Sequence, residues 1–362
     1  MFARGKTISS GRGWNMVRLN QKIAKKFSLK FGWLVAAMAV AAPAANAQTV
    51  YGADVLVSNG KRSPADAQLE QLLRPGDMIR DMLGWHKADP TCDLVSNPAR
   101  QITIPAATMA LYRNVQAAQG KNFVTLGFNN KHCGQPVNSG AKAFPDTPQL
   151  RAEFAAYAAQ VVRRVPALGG LSLWNELNGT WSGGGLPVAQ RLTQYCLLAN
   201  AVITEVRKVD ADIPIAIGAT VGWNIDGWFI DMFNKYGCIG KGDPTIWLDV
   251  HPYLSGRRIV GTHKTDFQLW QASIAHIRKA GISNPLAATE WGAKAAYLWQ
   301  TAHPAGNYMT QFRNEVLSQD PNWAAAFWFE MLYDIKAPNA GLYDKDNQLT
   351  LFGAQYMDAF HN

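Results

Sequence analysis

The stretch Leu171-Ser172-Leu173-Trp174-Asn175-Glu176-Leu177-Asn178 decides how the chain is read. A short apolar run delivers an Asn-Glu pair into a segment rich in glycine. A second stretch answers it 114 residues later, Pro285-Leu286-Ala287-Ala288-Thr289-Glu290-Trp291-Gly292, again an apolar run ending in a carboxylate. Continuous apolarity, rather than alternation with polar residues, marks strands buried on both faces, the habit of parallel sheets covered by helices.

Working outward, apolar runs at 50–57, 78–83, 123–128, 171–174, 213–219, 246–250, 286–289 and 324–329 alternate with segments of helical spacing at 64–73, 106–119, 149–165, 187–209, 228–235, 266–280, 308–318 and 352–360. Strand–helix alternation implies parallel pairing. Eight such units fit a single-domain (β/α)8 TIM barrel, the α/β architecture whose usual size is about 250 residues before insertions. A doubly wound open sheet would carry a Gly-rich phosphate turn after its first strand, and none is present. No internal repeat or linker separates a second domain, so residues 48–362 read as one catalytic domain.

Residues 1–47 read as a signal peptide. Lys22–Lys30 is a basic region, Phe31–Ala42 an apolar run too short to span a membrane, and Ala45-Asn46-Ala47 a small-residue cleavage site. Cleavage there makes Gln48 the first mature residue, leaves no membrane anchor and places the protein in the periplasm or outside the cell. Eight of the 35 Lys and Arg residues and none of the 26 Asp and Glu residues precede position 48, so the remainder carries a net charge of +1. The basic balance of the whole chain therefore belongs to the leader and gives no argument for nucleic acid. Four cysteines in an exported chain suggest two disulfides. Of the three connectivities, Cys92–Cys133 is favoured, because both residues fall in loops after neighbouring strands; Cys196–Cys238 then ties a helix to the end of the next. Cys92, His132 and Cys133 lack any familiar metal-ligand spacing, and no metal or cofactor is expected.

In a (β/α)8 barrel the C-terminal ends of the strands converge on one face. Those positions are Arg80, Trp85 and His86 from the second strand, Asn129 from the third, Asn175 and Glu176 from the fourth, His251 and Tyr253 from the sixth, Glu290 from the seventh, and Trp328 and Glu330 from the eighth. Strands four and seven stand on opposite sides, so Glu176 and Glu290 can meet across the mouth. Two carboxyl groups so placed, about 5–5.5 Å apart, are what a double-displacement glycosidase requires.

The motifs Trp174-Asn175-Glu176 and Thr289-Glu290-Trp291-Gly292 resemble those of the retaining glycoside hydrolases of clan A, with bacterial family-39 and family-5-like members the best match. Gly341-Leu342-Tyr343-Asp344 resembles the segment before the last helix in family-39-like barrels, and His251-Pro252-Tyr253 the clan's His-x-Tyr after strand six. The resemblance implies an O-glycosidase, with Glu176 as acid/base and Glu290 as nucleophile. It also implies a carbohydrate substrate, either a bacterial exopolysaccharide or a plant cell-wall glycan. The chain departs from the pattern at Leu177, where the clan carries proline.

The remaining roles follow from chemistry. Asn175 is the natural donor to a sugar 2-hydroxyl. Arg80 would keep Glu290 ionised by charge and Tyr253 by a hydrogen bond. His251 would orient the acid/base or touch sugar. Trp328 is expected as the aromatic floor of the site, with Trp181, Trp223 and Trp291 as further platforms, and Glu330, two residues beyond Trp328, is expected on the same face. The competing reading is a carbohydrate-binding barrel without turnover.

Overall fold

The computed structural model describes residues 49–135, 142–222, 225–254, 266–293, 305–332 and 341–361. The chain divides into two units, Met1–Ala44 and Ala45–Asn362, and every described residue belongs to the second. The expected signal peptide and Trp223 lie outside the described residues. Among those described, no helix is long and apolar enough to cross a membrane.

Eight strands form a closed barrel: β1 (Val50–Asp54), β2 (Met78–Gly84), β3 (Lys121–Gly127), β4 (Leu168–Leu173), β5 (Ile215–Val221), β6 (Ile246–His251), β7 (Leu286–Ala293) and β8 (Trp323–Trp328). Each pairs in parallel with its neighbours, and β1–β8 and β6–β7 pairs complete the ring. A two-residue extension, Tyr253–Leu254, continues alongside the end of β7. Among the described residues the α-helices are α1 (Asp66–Leu72), α2 (Trp85–Ala88), α3 (Ala106–Ala117), α4 (Pro148–Arg164), α5 (Val188–Arg207), α6 (Asp226–Asn234), α7 (Asp266–Lys279), α8 (Ala305–Glu315) and α9 (Leu351–His361). The single-domain (β/α)8 barrel read from the sequence is thus the observed architecture. Among the described residues, α2, which begins one residue after β2 ends, and short pieces such as the 3-10 turns Lys131–Cys133 and Gly183–Gly185 and the strand extension Tyr253–Leu254 were not anticipated.

Local chemistry explains the elements. α4 starts where the Thr147 hydroxyl accepts from Leu150 N at 3.1 Å, with Pro148 in the first turn, where a missing N–H costs nothing. It buries Phe154, Ala155, Tyr157, Ala158 and Val161 in the shell between helices and barrel. Cys196 on α5 is bonded to Cys238 beyond α6, and Cys92 to Cys133 across the loops after β2 and β3. Cys92 and Cys133 are therefore not available as metal thiolates.

The barrel interior is layered. Met78, Phe123, Trp247, Ala287, Ala325 and Phe327 fill its lower part, with Phe123 and Trp247 stacked at 6.1 Å. Two residues further along their strands, on the same inward face, come Arg80, Thr125, Asp249 and Thr289, all buried. An apolar plug beneath a buried polar layer forces the polar groups to pair with one another or to face the mouth.

Gly52 in β1 is the tightest point of the ring: a Cβ there would stand 1.8 Å from the carbonyl oxygen of Met78 on the adjacent strand. Gly52→Ala should cost about 3 kcal/mol or more, because the obstacle is backbone. In contrast, Gly227 in α6 is exposed and a Cβ there meets nothing within 4 Å. Gly227→Ala should stabilise by about 0.5–1 kcal/mol through helix propensity. Thermal midpoints of the two variants should move in opposite directions.

Candidate active site

The fourth and seventh strands deliver their glutamates by different local devices. In β7, Ala288 pairs with Ala326 but Trp291 pairs with Trp328, so one extra residue is accommodated between them. This bulge presents both Thr289 and Glu290 toward the mouth and turns Trp291 outward. At the end of β4 the chain passes through left-handed backbone at Trp174 (φ 71°) and Glu176 (φ 46°), uncommon for side chains with a Cβ. Flanking bonds hold it there: Trp174 N donates to Leu126 O at 2.9 Å, Leu177 N to Ala219 O at 2.8 Å, and Trp174 Nε1 to Ser182 Oγ at 3.0 Å.

A carboxylate oxygen of Glu176, one of Glu290 and a ring nitrogen of His251 all lie within 4.8 Å of one another. Glu290 Oε1 accepts from Arg80 Nη1 at 2.8 Å, and Oε2 accepts from the Tyr253 hydroxyl at 2.7 Å. Arg80 also donates to Asp54 Oδ1 at 2.6 Å and through Nη2 to Asn175 Oδ1 at 3.1 Å. With its oxygen committed to Arg80, the Asn175 amide keeps its Nδ2 donors unspent among the described residues. His251 Nδ1 stands 3.4 Å from Glu290 Oε2 and 3.8 Å from Glu176 Oε1, while Nε2 meets Thr289 Oγ1 at 3.1 Å. Thr289 and Ser172 in turn donate to the two oxygens of Asp249.

The electrostatics follow from burial and charge. Burial alone would raise the Glu290 pKa, but His251, Arg80 and the Tyr253 hydrogen bond together hold it below the ordinary carboxylate value. Asp54 moves the other way. Burial dominates, Arg80 offsets it only in part, and Glu290 and Glu330 add repulsion. For His251, burial opposes the charge, yet Glu290, Glu176 and Asp249 bring its pKa above the usual imidazole value.

Glu330 is buried close enough to Asp54 to press on its charge, and Asn129 is half-buried where the chain leaves β3. His86 stands exposed on α2 at the rim. Three tryptophans correct the sequence reading. Trp328 is fully buried on the outer face of β8, edge-on to Trp291 at 4.8 Å and stacked with Phe352 at 5.7 Å, so it cannot floor a site inside the barrel. Inward positions of β8 are Ala325 and Phe327, which leaves Trp328 outward, and the strand ends there, so its spacing from Glu330 implies no shared face. Trp291 is buried against Phe312 at 4.1 Å. Trp85 is buried against Phe154, its Nε1 donating to Asp89 at 3.1 Å, because α2 begins at that residue and turns it away from the mouth.

The aromatic surface at the mouth comes instead from half-buried Phe128, Trp181 and Phe329. Trp181 Nε1 donates to Glu176 Oε2 at 3.3 Å, and Phe329 meets Tyr253 edge-on at 5.9 Å. Phe128 and Phe329 each follow the last residue of a strand or lie one beyond it, a position sequence reading could have examined. Asp54 and Asp249 carried no such signal, since each looks like an isolated acid in an apolar run.

No family model matches the sequence, and neither does any curated protein. Solved structures do share the fold. A family 39 glycoside hydrolase from Bacteroides cellulosilyticus superposes with a TM-score of 0.58 at 17% identity, covering 87% of this chain and 64% of that one. An exo-β-1,4-mannosidase from an Opitutaceae bacterium gives 0.56 at 16% identity, covering 86% and 59%. An endo-β-1,4-glucanase from Xanthomonas axonopodis gives 0.58 at 13% identity, covering 87% and 100%. The chain thus spans less than two thirds of the first two and the full length of the third.

The pairing of Tyr253 with Glu290 has a measurable sign. Tyr253→Phe removes a donor that favours the ionised carboxylate, so the Glu290 pKa should rise. Titration of carboxyl-labelled glutamate by NMR should show that upward shift; a fall would mean that burial by the phenol ring outweighs its hydroxyl.

Proposed function

We propose that the protein is a retaining glycoside hydrolase that cleaves O-glycosidic, β-configured bonds in a poly- or oligosaccharide by double displacement. The observation that carries this reading is the approach of the Glu176 and Glu290 carboxylates to within 4.8 Å. Retaining glycosidases hold their carboxyl groups about 5–5.5 Å apart, while inverting ones need about 6.5–9.5 Å to admit the attacking water. The barrel shared with a family 39 hydrolase, a β-1,4-mannosidase and a β-1,4-glucanase supports the substrate class and the β-configuration.

In this reading Glu290 attacks the anomeric carbon. Arg80 and Tyr253 take up one oxygen each and keep it ionised, which fixes the direction of attack. Glu176, reached by solvent and held by Trp181, protonates the departing oxygen and then deprotonates the water that releases the sugar. Asn175 offers Nδ2 to the 2-hydroxyl, a bond that strengthens as the transition state forms. The leader directs the enzyme to the periplasm or outside the cell, where the two disulfides form.

Glu176→Gln should lower rates on substrates with poor leaving groups by about 10²–10⁴-fold and spare the first step on activated aryl glycosides. Equal losses on both would make Glu176 structural. A 2-deoxy-2-fluoro glycoside of the hydrolysed sugar should inactivate the enzyme and leave its mass on the peptide containing Glu290, and early product should retain the substrate's anomeric configuration. Inverted product, or glycan binding with no turnover on any of a panel of aryl glycosides and polysaccharides, would overturn the proposal. Mass spectrometry of exported protein should find a chain beginning at Gln48.

A further inference from the structure

The aromatic pair that reaches Glu176 through Trp181 also holds a cation, Lys142. Lys142 N donates to Trp181 O and Gly183 N donates to Lys142 O, both at 2.8 Å, so the Lys142 backbone is pinned on both sides to the loop that carries Trp181. Its ammonium lies 3.3 Å from the centre of the Phe128 ring and 5.6 Å from that of Trp181. The two rings meet edge-on at 5.8 Å, and Trp181 in turn bonds Glu176. Lys142 is half-buried, and among the described residues no carboxylate pairs with it. Positions 136–141, immediately before it, contain no Asp or Glu. Burial holds its pKa below the ordinary lysine value. Lys131, which also lacks a carboxylate partner among the described residues, and His132 are close enough, together with Lys142, to press on His86 with like charge after the effect of its burial.

We infer that Lys142, Phe128 and Trp181 form a subsite for an acidic sugar, in which Lys142 takes the carboxylate of a uronosyl residue adjoining the scissile bond. The inference rests on the glycosidase reading and names its substrate class. A poorly solvated ammonium gains most from an anion that reaches it in the same aromatic corner, because water is displaced from both charges at once. The aromatic faces supply what the sugar ring's C–H surface requires, and the ammonium supplies a point charge suited to one carboxylate oxygen. A purely neutral glycan would leave that charge half-desolvated beneath it.

The test uses the full mature chain and three acidic polysaccharides, polygalacturonate, alginate and hyaluronan, each beside its carboxyl-reduced form. Affinity electrophoresis in gels containing each polymer gives the dissociation constants. Wild-type protein should bind at least one acidic polymer about tenfold more tightly than its reduced form, the range of one charge-assisted hydrogen bond, and the preference should weaken with salt. Lys142→Met should abolish the preference and leave the reduced form bound as before, while Lys142→Arg should keep most of it. Matching thermal midpoints separate this from misfolding. Equal binding of acidic and reduced polymers by wild-type protein, or a preference that survives Lys142→Met, overturns the inference. Turnover of neutral glycans without acidic preference would overturn it and leave the glycosidase reading intact. Acid-selective binding through Lys142 without turnover of any glycan would do the reverse.

Discussion

A guanidinium buried in the middle of the barrel sets the terms for everything above it. Arg80 is 1% exposed and stands on the apolar plug, where an unpaired charge would be costly. Two carboxylates answer it, Asp54 from the first strand and Glu290 from the seventh. One cation cannot fully stabilise two buried anions, and the surroundings divide them. Glu290 also receives the Tyr253 hydroxyl and faces His251; Asp54 has a buried oxygen without a hydrogen-bond partner among the described residues. Glu290 is accordingly held ionised, and the Asp54 pKa is driven upward by burial with Glu290 and Glu330 adding to it. The same guanidinium fixes Asn175, so one buried charge positions groups from β1, β4 and β7 together.

Backbone irregularities complete the aim. A regular β7 would alternate Ala287, Thr289 and Trp291 inward and put Glu290 in the helical shell; the extra residue reverses that order after Thr289. At β4 the left-handed turns at Trp174 and Glu176 need firm flanks, and Leu177 provides one. Its N–H donates to Ala219 on β5, a bond proline cannot make, and its side chain is fully buried. The departure from the clan's proline is thus matched by a local hydrogen bond that fastens the loop to the next strand.

These details explain what could be read from sequence. The barrel was legible because eight continuous apolar runs alternate with segments of helical spacing, and the two glutamates because each terminates such a run. Trp328 and Trp85 misled because a place at the C-terminal end of a strand was taken to mean facing the mouth, whereas parity with Ala325 and Phe327 puts Trp328 outward and a helix starts at Trp85. Asp54 and Asp249 were invisible since only the closed ring shows that their neighbours are Arg80, Ser172 and Thr289. Lys142 lies sixty-two residues from Arg80 in sequence, in a loop with no periodicity, and its placement depends on pairing with another loop.

The hydrogen-bond direction below His251 bears on how the two glutamates share charge. Thr289 has a single hydroxyl proton and donates it to Asp249, so its oxygen must accept from His251 Nε2–H. The proton that titrates on the ring is therefore the one on Nδ1, the nitrogen facing Glu290 and Glu176. A neutral ring would turn a lone pair toward whichever glutamate is ionised; a protonated one offers it a donor, consistent with its raised pKa. In the proposed cycle, glycosylation neutralises Glu290 at the moment Glu176 gives up its proton and becomes charged. The negative charge moves from one side of His251 to the other without changing in amount. A cation held between the two by Asp249 and Thr289 serves both states with little rearrangement, which is the economy expected of a preorganised site.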